Sequence, residues 1–418
     1  MTAYRKTLRT IAVFSLMALP SSALFASNPI IVGGEGKTCL EDSGCINRFH
    51  SDIPMTTKAK TGEDILFRTR DAADIFGIAA KQPSTIPRNP TIDFGRIHPV
   101  TGPVYIEDAS AGDVLAVTIK KITPGKYAWT SAGSFGFASD LSPGEMLVMW
   151  NLEDGYATSP DLPGIRIPAA AFPGIVATMP SPKDLPNILS RESALHKAGG
   201  VVSLPDSNMA SPSELCGPEG SAKDECLRTI PPRKHGGNMD IRYLKEGVTI
   251  YLPCNIKGCG LAIGDLHFAQ GDGEIGGSAI EMSADVLVTT EILKDGPDLS
   301  HGPHYRGASS LLDIPSREFY AVTGFPFKEA GTLTPESAYV TKDTALALES
   351  LSNDINLAAR NATDSILDYI VKTYGYSRLQ AYIIASVAVD IRIAQLVDAP
   401  NVGATALLPL DIFGHTNE

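Results

Sequence analysis

The chain has 418 residues, 43% of them hydrophobic and 20% charged, which is long enough for two or three ordinary domains or one large β-rich body. Its 38 glycines and 30 prolines exceed the usual share of ~12% and favour many short elements joined by turns over long helices. A net charge of -12 at pH 7 weighs against a nucleic-acid partner, because neutralising phosphates takes a basic face.

Residues 1–26 read as a secretory signal peptide. Arg5, Lys6 and Arg9 precede an apolar run from Ile11 to Leu19, followed by Pro20 and the small residues Ser21, Ser22 and Ala23. The run falls short of the ~20 residues a membrane span needs, so cleavage after Ala23 or Ala26 and export to the periplasm or medium are expected. No membrane association is expected once the signal is removed. Export makes disulfides available to the six cysteines, which lie as three close pairs: Cys39 and Cys45, Cys216 and Cys226, Cys254 and Cys259. Six cysteines allow fifteen connectivities. Local closure is the simplest, although Cys254 and Cys259 read equally well as buried thiols.

From 27 to 181 the chain reads as an N-terminal β lobe. Val114-Leu115-Ala116-Val117-Thr118-Ile119 is its clearest strand, and turn signals such as Thr101-Gly102-Pro103 punctuate it. Residues 182–230 lose apolar periodicity and read as a surface insertion closed by the second cysteine pair. Patterning returns in 231–418, a second β lobe with strands at Val248–Leu252, Gly260–Gln270 and Ala279–Leu293. An α+β element closes the chain. Apolar residues from Leu346 through Leu351, Ile355, Ala358, Ala362, Ile366 and Ile370 to Val371 follow helical steps, with a stop at Tyr374-Gly375. Ser377 caps a second helix running to Val387, and Arg392–Val397 and Ala404–Leu408 are terminal strands.

Chemistry concentrates in one stretch, which holds His235, Asn238, Asp240, Asp265, His267, Asp272, Glu274 and Glu281 among glycines. In a strand over Gly260–Gln270, alternation places Leu261, Ile263, Asp265 and His267 on one face. Asp265 and His267 then stand ~7 Å apart, close enough for a carboxylate and an imidazole to converge on one divalent ion. Gly271 and Gly273 turn the chain so that Glu274 returns to the same place. Acids beside a glycine turn more often cap backbone N–H groups, so spacing alone leaves both readings open. His50 has no local partner, and His98, His196, His301, His304 and His415 receive no role. No Gly-x-Ser-x-Gly elbow is present.

The run Pro231-Pro232-Arg233-Lys234-His235-Gly236-Gly237-Asn238-Met239-Asp240, with Tyr251-Leu252-Pro253 and Gly264-Asp265-Leu266-His267-Phe268-Ala269-Gln270-Gly271-Asp272-Gly273-Glu274, resembles the signature of the acetamidase/formamidase family. Asn47-Arg48-Phe49-His50-Ser51-Asp52-Ile53-Pro54 resembles its formamidase-branch N-terminal motif, with Phe49 in place of Trp and Met55 in place of a second Pro. Thr101-Gly102-Pro103-Val104-Tyr105 and Val397-Asp398-Ala399-Pro400-Asn401 are similar to further blocks, in the same order along the chain.

The resemblance implies a mainly β, β-sandwich-based fold with an α+β C-terminal part and two C-terminal helices, assembled as a homo-oligomer. It implies hydrolysis of a small aliphatic amide, formamide or acetamide, to carboxylate and ammonia. Amide carbonyls are poor electrophiles, so a divalent metal, zinc or alternatively calcium, is expected to activate water. Asp265 and His267 are its expected ligands, with Asp240 and His50 as further candidates. Glu274 is the expected general base. Asn238 and the Gly236-Gly237 N–H groups are placed at the oxyanion, and Glu281 is expected to orient His267. Two alternatives stand beside this reading: an exported hydrolase of a larger amide whose pocket is shaped by 182–230, and a non-catalytic metal- or carbohydrate-binding β-sandwich.

Overall fold

The computed structural model describes residues 28–88, 90–132, 145–161, 166–270, 274, 277–312, 318–332, 342–376, 390–398 and 400–410. The signal segment, the Asp272-Gly273 turn and the second C-terminal helix lie outside these residues. Among the described residues, eighteen strands join in one mostly antiparallel hydrogen-bonded sheet, and a two-stranded ribbon stands apart. This is the mainly β architecture expected, with few helices.

The β-branched run at 114–119 belongs to a 19-residue strand, Val114–Ala132, whose Leu115, Val117 and Ile119 are fully buried in the main core. It pairs along nearly its whole length with Glu281–Leu293, from Leu293 opposite Val114 to Glu281 opposite Trp129. Cys259–His267 is buried at every position. It lies between Phe172–Ala177 and Val100–Ile106, and its last two residues face Met282 and Glu281. That register sets the ends of three strands at one place.

Segment 182–230 departs from the expected surface insertion. Leu185–Lys197 is a helix whose buried residues Leu185, Ile188, Glu192 and Leu195 follow steps of three and four. A glutamate in the middle of the stripe hid its helical period from apolar pattern reading. Leu185 and Ile188 join Cys216, Cys226 and Leu227 in a second core with Phe49, Ile175 and Ala177. Glu192 forms a two-pronged ion pair with Arg233 (2.7 and 3.0 Å), and both side chains are almost wholly buried. Arg233 also donates to the carbonyl of Arg228. The helix thereby anchors the chain just ahead of Asn238 and Asp240.

Near the C-terminus the helix runs from Ile355 to Tyr374, later than Leu346, because the Asp354 side chain caps it by accepting from the Leu357 N–H. A separate short helix, Lys342–Ala347, precedes it. Gly375 ends the long helix with a left-handed φ of 72°, as the Tyr374-Gly375 signal predicts. Its buried face, including Ala362, Ile366 and Ile370, packs on Glu318–Gly324 and Gly403–Pro409. The terminal strands are Asp390–Gln395 and Gly403–Pro409. Each disulfide closes locally: Cys39–Cys45, Cys216–Cys226 and Cys254–Cys259. No described helix is long and apolar enough to cross a membrane.

Removing Glu192 would leave the buried Arg233 guanidinium without its counter-charge. Glu192→Ala is expected to cost about 3–5 kcal/mol of stability, measured by urea unfolding. A loss under 1 kcal/mol would mean the pair does not anchor this helix.

Candidate active site

The strand register brings the central histidine and its first carboxylate together. His267 and Glu281 are directly opposed across neighbouring strands, and His267 Nε2 lies 3.2 Å from Glu281 Oε2. Asp265, two residues back, reaches the same nitrogen at 3.4 Å.

Pairing with Phe172–Ala177 runs without a shift through this stretch, Ile263 opposite Val176 and His267 opposite Phe172, two positions of one face, as the alternation expected from the sequence requires. Asp265, between them, has a φ of 53°, in the left-handed region. Asp240 (φ 49°) and Glu274 (φ 45°) share this conformation. Each instance costs of order 1–3 kcal/mol and persists where surrounding structure imposes it, a pattern that clusters at functional sites.

Asp240 arrives from the other side of the Phe172–Ala177 strand. Gly236–Asn238 pairs with that strand, and the Gly174 carbonyl accepts from the N–H groups of Met239 and Asp240. Asp240 Oδ1 then stands 3.9 Å from His267 Nε2. A Cβ on Gly174 would lie 2.5 Å from Asp240 Oδ1 and 2.6 Å from Asp265 Oδ2. Only glycine leaves room there for both carboxylates.

Hydrogen bonds fix the imidazole. Gln270 Nε2 donates to the Asp240 carbonyl, which turns Gln270 Oε1 toward His267 Nδ1 at 2.8 Å. Nδ1 therefore carries a proton, and Nε2 is the nitrogen that faces the acids.

Five carboxyls crowd this space: Asp240, Asp265, Glu274, Glu281 and Asp398. Burial raises Asp240, and it pushes Glu281 up to about 7. Burial, then the Asp240 charge, holds Glu274 and Asp398 well above the ordinary carboxylate range. Burial alone would raise Asp265 too, but His98 and His267 outweigh it and hold that group down at about 2. Burial opposes charge on His267, yet the Glu281 and Asp265 carboxylates keep its affinity for a proton well above normal.

Both carboxylate oxygens of Asp240, Asp265 Oδ1 and Glu281 Oε2 are buried without a well-directed hydrogen bond, although Asp398 bonds Asp240 and His267 Nε2 stands 3.2 Å from Glu281 Oε2. Buried oxygens of this kind could be compensated by a cation. Two donor sets meet at His267, namely Asp240/His267/Glu274 and Asp265/His267/Glu281, with donor atoms within 4.8 Å of one another in each. Mixed carboxylate and imidazole donors suit a divalent ion such as zinc.

Other expected site residues are differently employed. His50 accepts from the Asp52 N–H and lies 3.7 Å from Glu225, and it belongs to neither donor set. The Asn238 amide donates to Asp398 Oδ2 at 2.8 Å, so that donor is committed to holding a carboxylate and not to an oxyanion. The Gly236 N–H donates to the Arg233 carbonyl.

Sequence reasoning missed three participants. His98, given no role, stands 4.0 Å from Asp265. Asp398 lay within a recognised motif without a signal of its own, and Gln270 likewise. The Asn238–Asp398 contact spans 160 positions and the His98–Asp265 contact still more, beyond the reach of local spacing, whereas Gln270 bonds residues only 3 and 30 positions away.

A cleft of about 170 Å³ opens onto the cluster, with Glu281, His98 and Asp398 at its polar end. Apart from Ile230, residues of 182–230 take no part in its described lining.

A β body carrying buried carboxylates and one oriented histidine at the base of a small cleft defines a hydrolase. The chain belongs to the Acetamidase/Formamidase family, whose model matches residues 35–415, and it is an amidase. It is similar to the formamidase of Methylophilus methylotrophus, 30% identical over 388 residues that cover 89% of this chain and 90% of that protein. It is similar also to the acetamidase of Mycolicibacterium smegmatis, 30% identical over 369 residues covering 81% and 84%. The crystal structure of an acetamidase from Bacillus halodurans shares the fold, with a TM-score of 0.62 and 22% identity over 88% of this chain and 96% of that one.

Gly174→Ala is expected to lower amide hydrolysis ~100-fold or more by displacing the two carboxylates, with the protein still folded by circular dichroism. Wild-type kcat/KM in that variant would show that the close approach is not required.

Proposed function

We propose that the protein hydrolyses a primary carboxamide, of the formamide or acetamide type, to the carboxylic acid and ammonia. The observation that carries this is the set of buried carboxylate oxygens around His267 Nε2, opening through Glu281 into the cleft.

His267, Asp240 and Glu274 are the residues that would hold a divalent cation, with zinc the best match to the donor chemistry. When bound, such an ion polarises the amide carbonyl and makes water a better nucleophile near neutral pH. Proton transfer is assigned to Glu281 ahead of Glu274, because Glu281 both touches His267 and lines the cleft. It takes a proton from the attacking water and delivers it to the departing nitrogen as the C–N bond breaks. The Ala279 N–H, donating to Glu281 Oε1 at 2.8 Å, holds the carboxyl in place. Asp398, held by Asn238, closes the polar end of the cleft.

Export fits the three disulfides together with the signal-like segment at 1–26. Assembly as a homo-oligomer is proposed from the family resemblance.

Ammonia release from formamide, acetamide and propionamide, with metal analysis of the same sample, tests the proposal. Chelation is expected to abolish release and zinc to restore it. Full activity in metal-stripped protein would remove the cation, and no release from any amide would overturn the function. Glu281→Gln is expected to lower kcat by about 10²–10⁴ with metal retained, and Glu274→Gln to lower it less. The reverse order would return the proton transfer to Glu274.

A further inference from the structure

The cleft has two unlike ends. Beyond Glu281, His98 and Asp398 its lining is mainly apolar, with Ile92, Phe94, Ile97, Trp129, Ile230 and Val397, and Ser131 and Ser278 are its remaining polar side chains. The Trp129 wall is held firmly. Its indole Nε1 donates to Asp71 Oδ1 at 3.0 Å, and that carboxylate is wholly buried and also accepts from the N–H groups of Ala73, Ile75 and Phe76. The indole N–H is thus spent on the protein, and the tryptophan offers substrate carbon surface alone. Trp129 and Ile97 belong to an apolar cluster with Phe76 and Met149, against which Ile92 and Ile230 pack. Phe94, at the cleft, remains 60% exposed.

Size points the same way. The volume of about 170 Å³ is comparable to the ~150 Å³ of an apolar cavity that takes up a benzene molecule. Formamide has no carbon beyond its carbonyl and acetamide has one methyl group, so neither reaches far past the polar end. With the amide at Glu281, and ammonia as the small leaving group, the remaining space falls on the acyl side.

We infer that the site is built for a primary amide whose acyl group carries an apolar body of about the size of a phenyl ring, with Phe94 and Trp129 as its specificity walls. This rests on the amidase reading above. Hydrolysis then consumes water at the carbonyl, breaks the C–N bond and releases ammonia and an arylalkyl or branched-alkyl carboxylate.

The test compares kcat/KM for formamide, acetamide, isobutyramide and phenylacetamide, with N-benzylacetamide as the arm that moves the ring to the nitrogen side. Each well-buried methylene discriminates by about 10–200-fold. Phenylacetamide is therefore expected to exceed acetamide by at least about tenfold, carried by a lower KM. Phe94→Ala and, independently, Ile92→Ala are expected to lower the phenylacetamide-to-acetamide ratio about fivefold or more. Preference for formamide or acetamide would overturn the inference while leaving the amidase reading intact. So would faster cleavage of N-benzylacetamide, or a ratio untouched by both variants. Failure to cleave any of the amides, read as ammonia or, for N-benzylacetamide, as benzylamine, would overturn both.

Discussion

The structure turns on the burial of negative charge around one nitrogen. Asp240, Asp265 and Glu281 bring carboxylate oxygens to within 3.9, 3.4 and 3.2 Å of His267 Nε2, in a place where those side chains are almost wholly removed from water. Such a cluster is costly unless charge is compensated. One imidazolium would neutralise one acid of several. Burial raises the proton affinities of Asp240, Glu274, Glu281 and Asp398, and neighbouring carboxylates raise them further. A divalent cation would relieve the excess of negative charge, with His267 Nε2 as one of its donors.

Everything else in the site serves to hold those acids together against their repulsion. The opposition of His267 and Glu281 is a consequence of sheet register, so it is fixed by the long pairing of Glu281–Leu293 with Val114–Ala132. Asp240 is placed by backbone hydrogen bonds to Gly174, whose missing side chain admits the carboxylates. The left-handed backbone at Asp240, Asp265 and Glu274 is local strain that this scaffold imposes. Even the buried Arg233–Glu192 pair, outside the site, steadies the segment that delivers Asn238 and Asp240.

Much of this was legible in the sequence because the site residues sit in short ordered motifs. Asp265, His267, Asp240, Glu274 and Glu281 are local enough for spacing and family resemblance to single them out. The mainly β character followed from alternation and turn residues. The left-handed backbone at Asp265 was not legible, since nothing in its composition marks it. Helix Leu185–Lys197 escaped notice because its buried stripe contains Glu192, whose partner Arg233 lies 41 positions away. His98 and Asp398 were hidden for a related reason. His98 reaches Asp265, and Asp398 reaches Asn238, only through tertiary folding. His50 illustrates the opposite error. A motif match suggested a ligand, but the fold directs its ring to Asp52 and Glu225.

The most direct measurement is X-ray diffraction from crystals of active enzyme, with data collected on both sides of the zinc absorption edge. The expected result is an anomalous peak beside His267 Nε2, in contact with the carboxylates of Asp240 and Glu274. Fully active crystals with no anomalous scatterer there, and His267 hydrogen-bonded directly to Glu281 or Asp265, would contradict the claim that this carboxylate cluster exists to hold a cation.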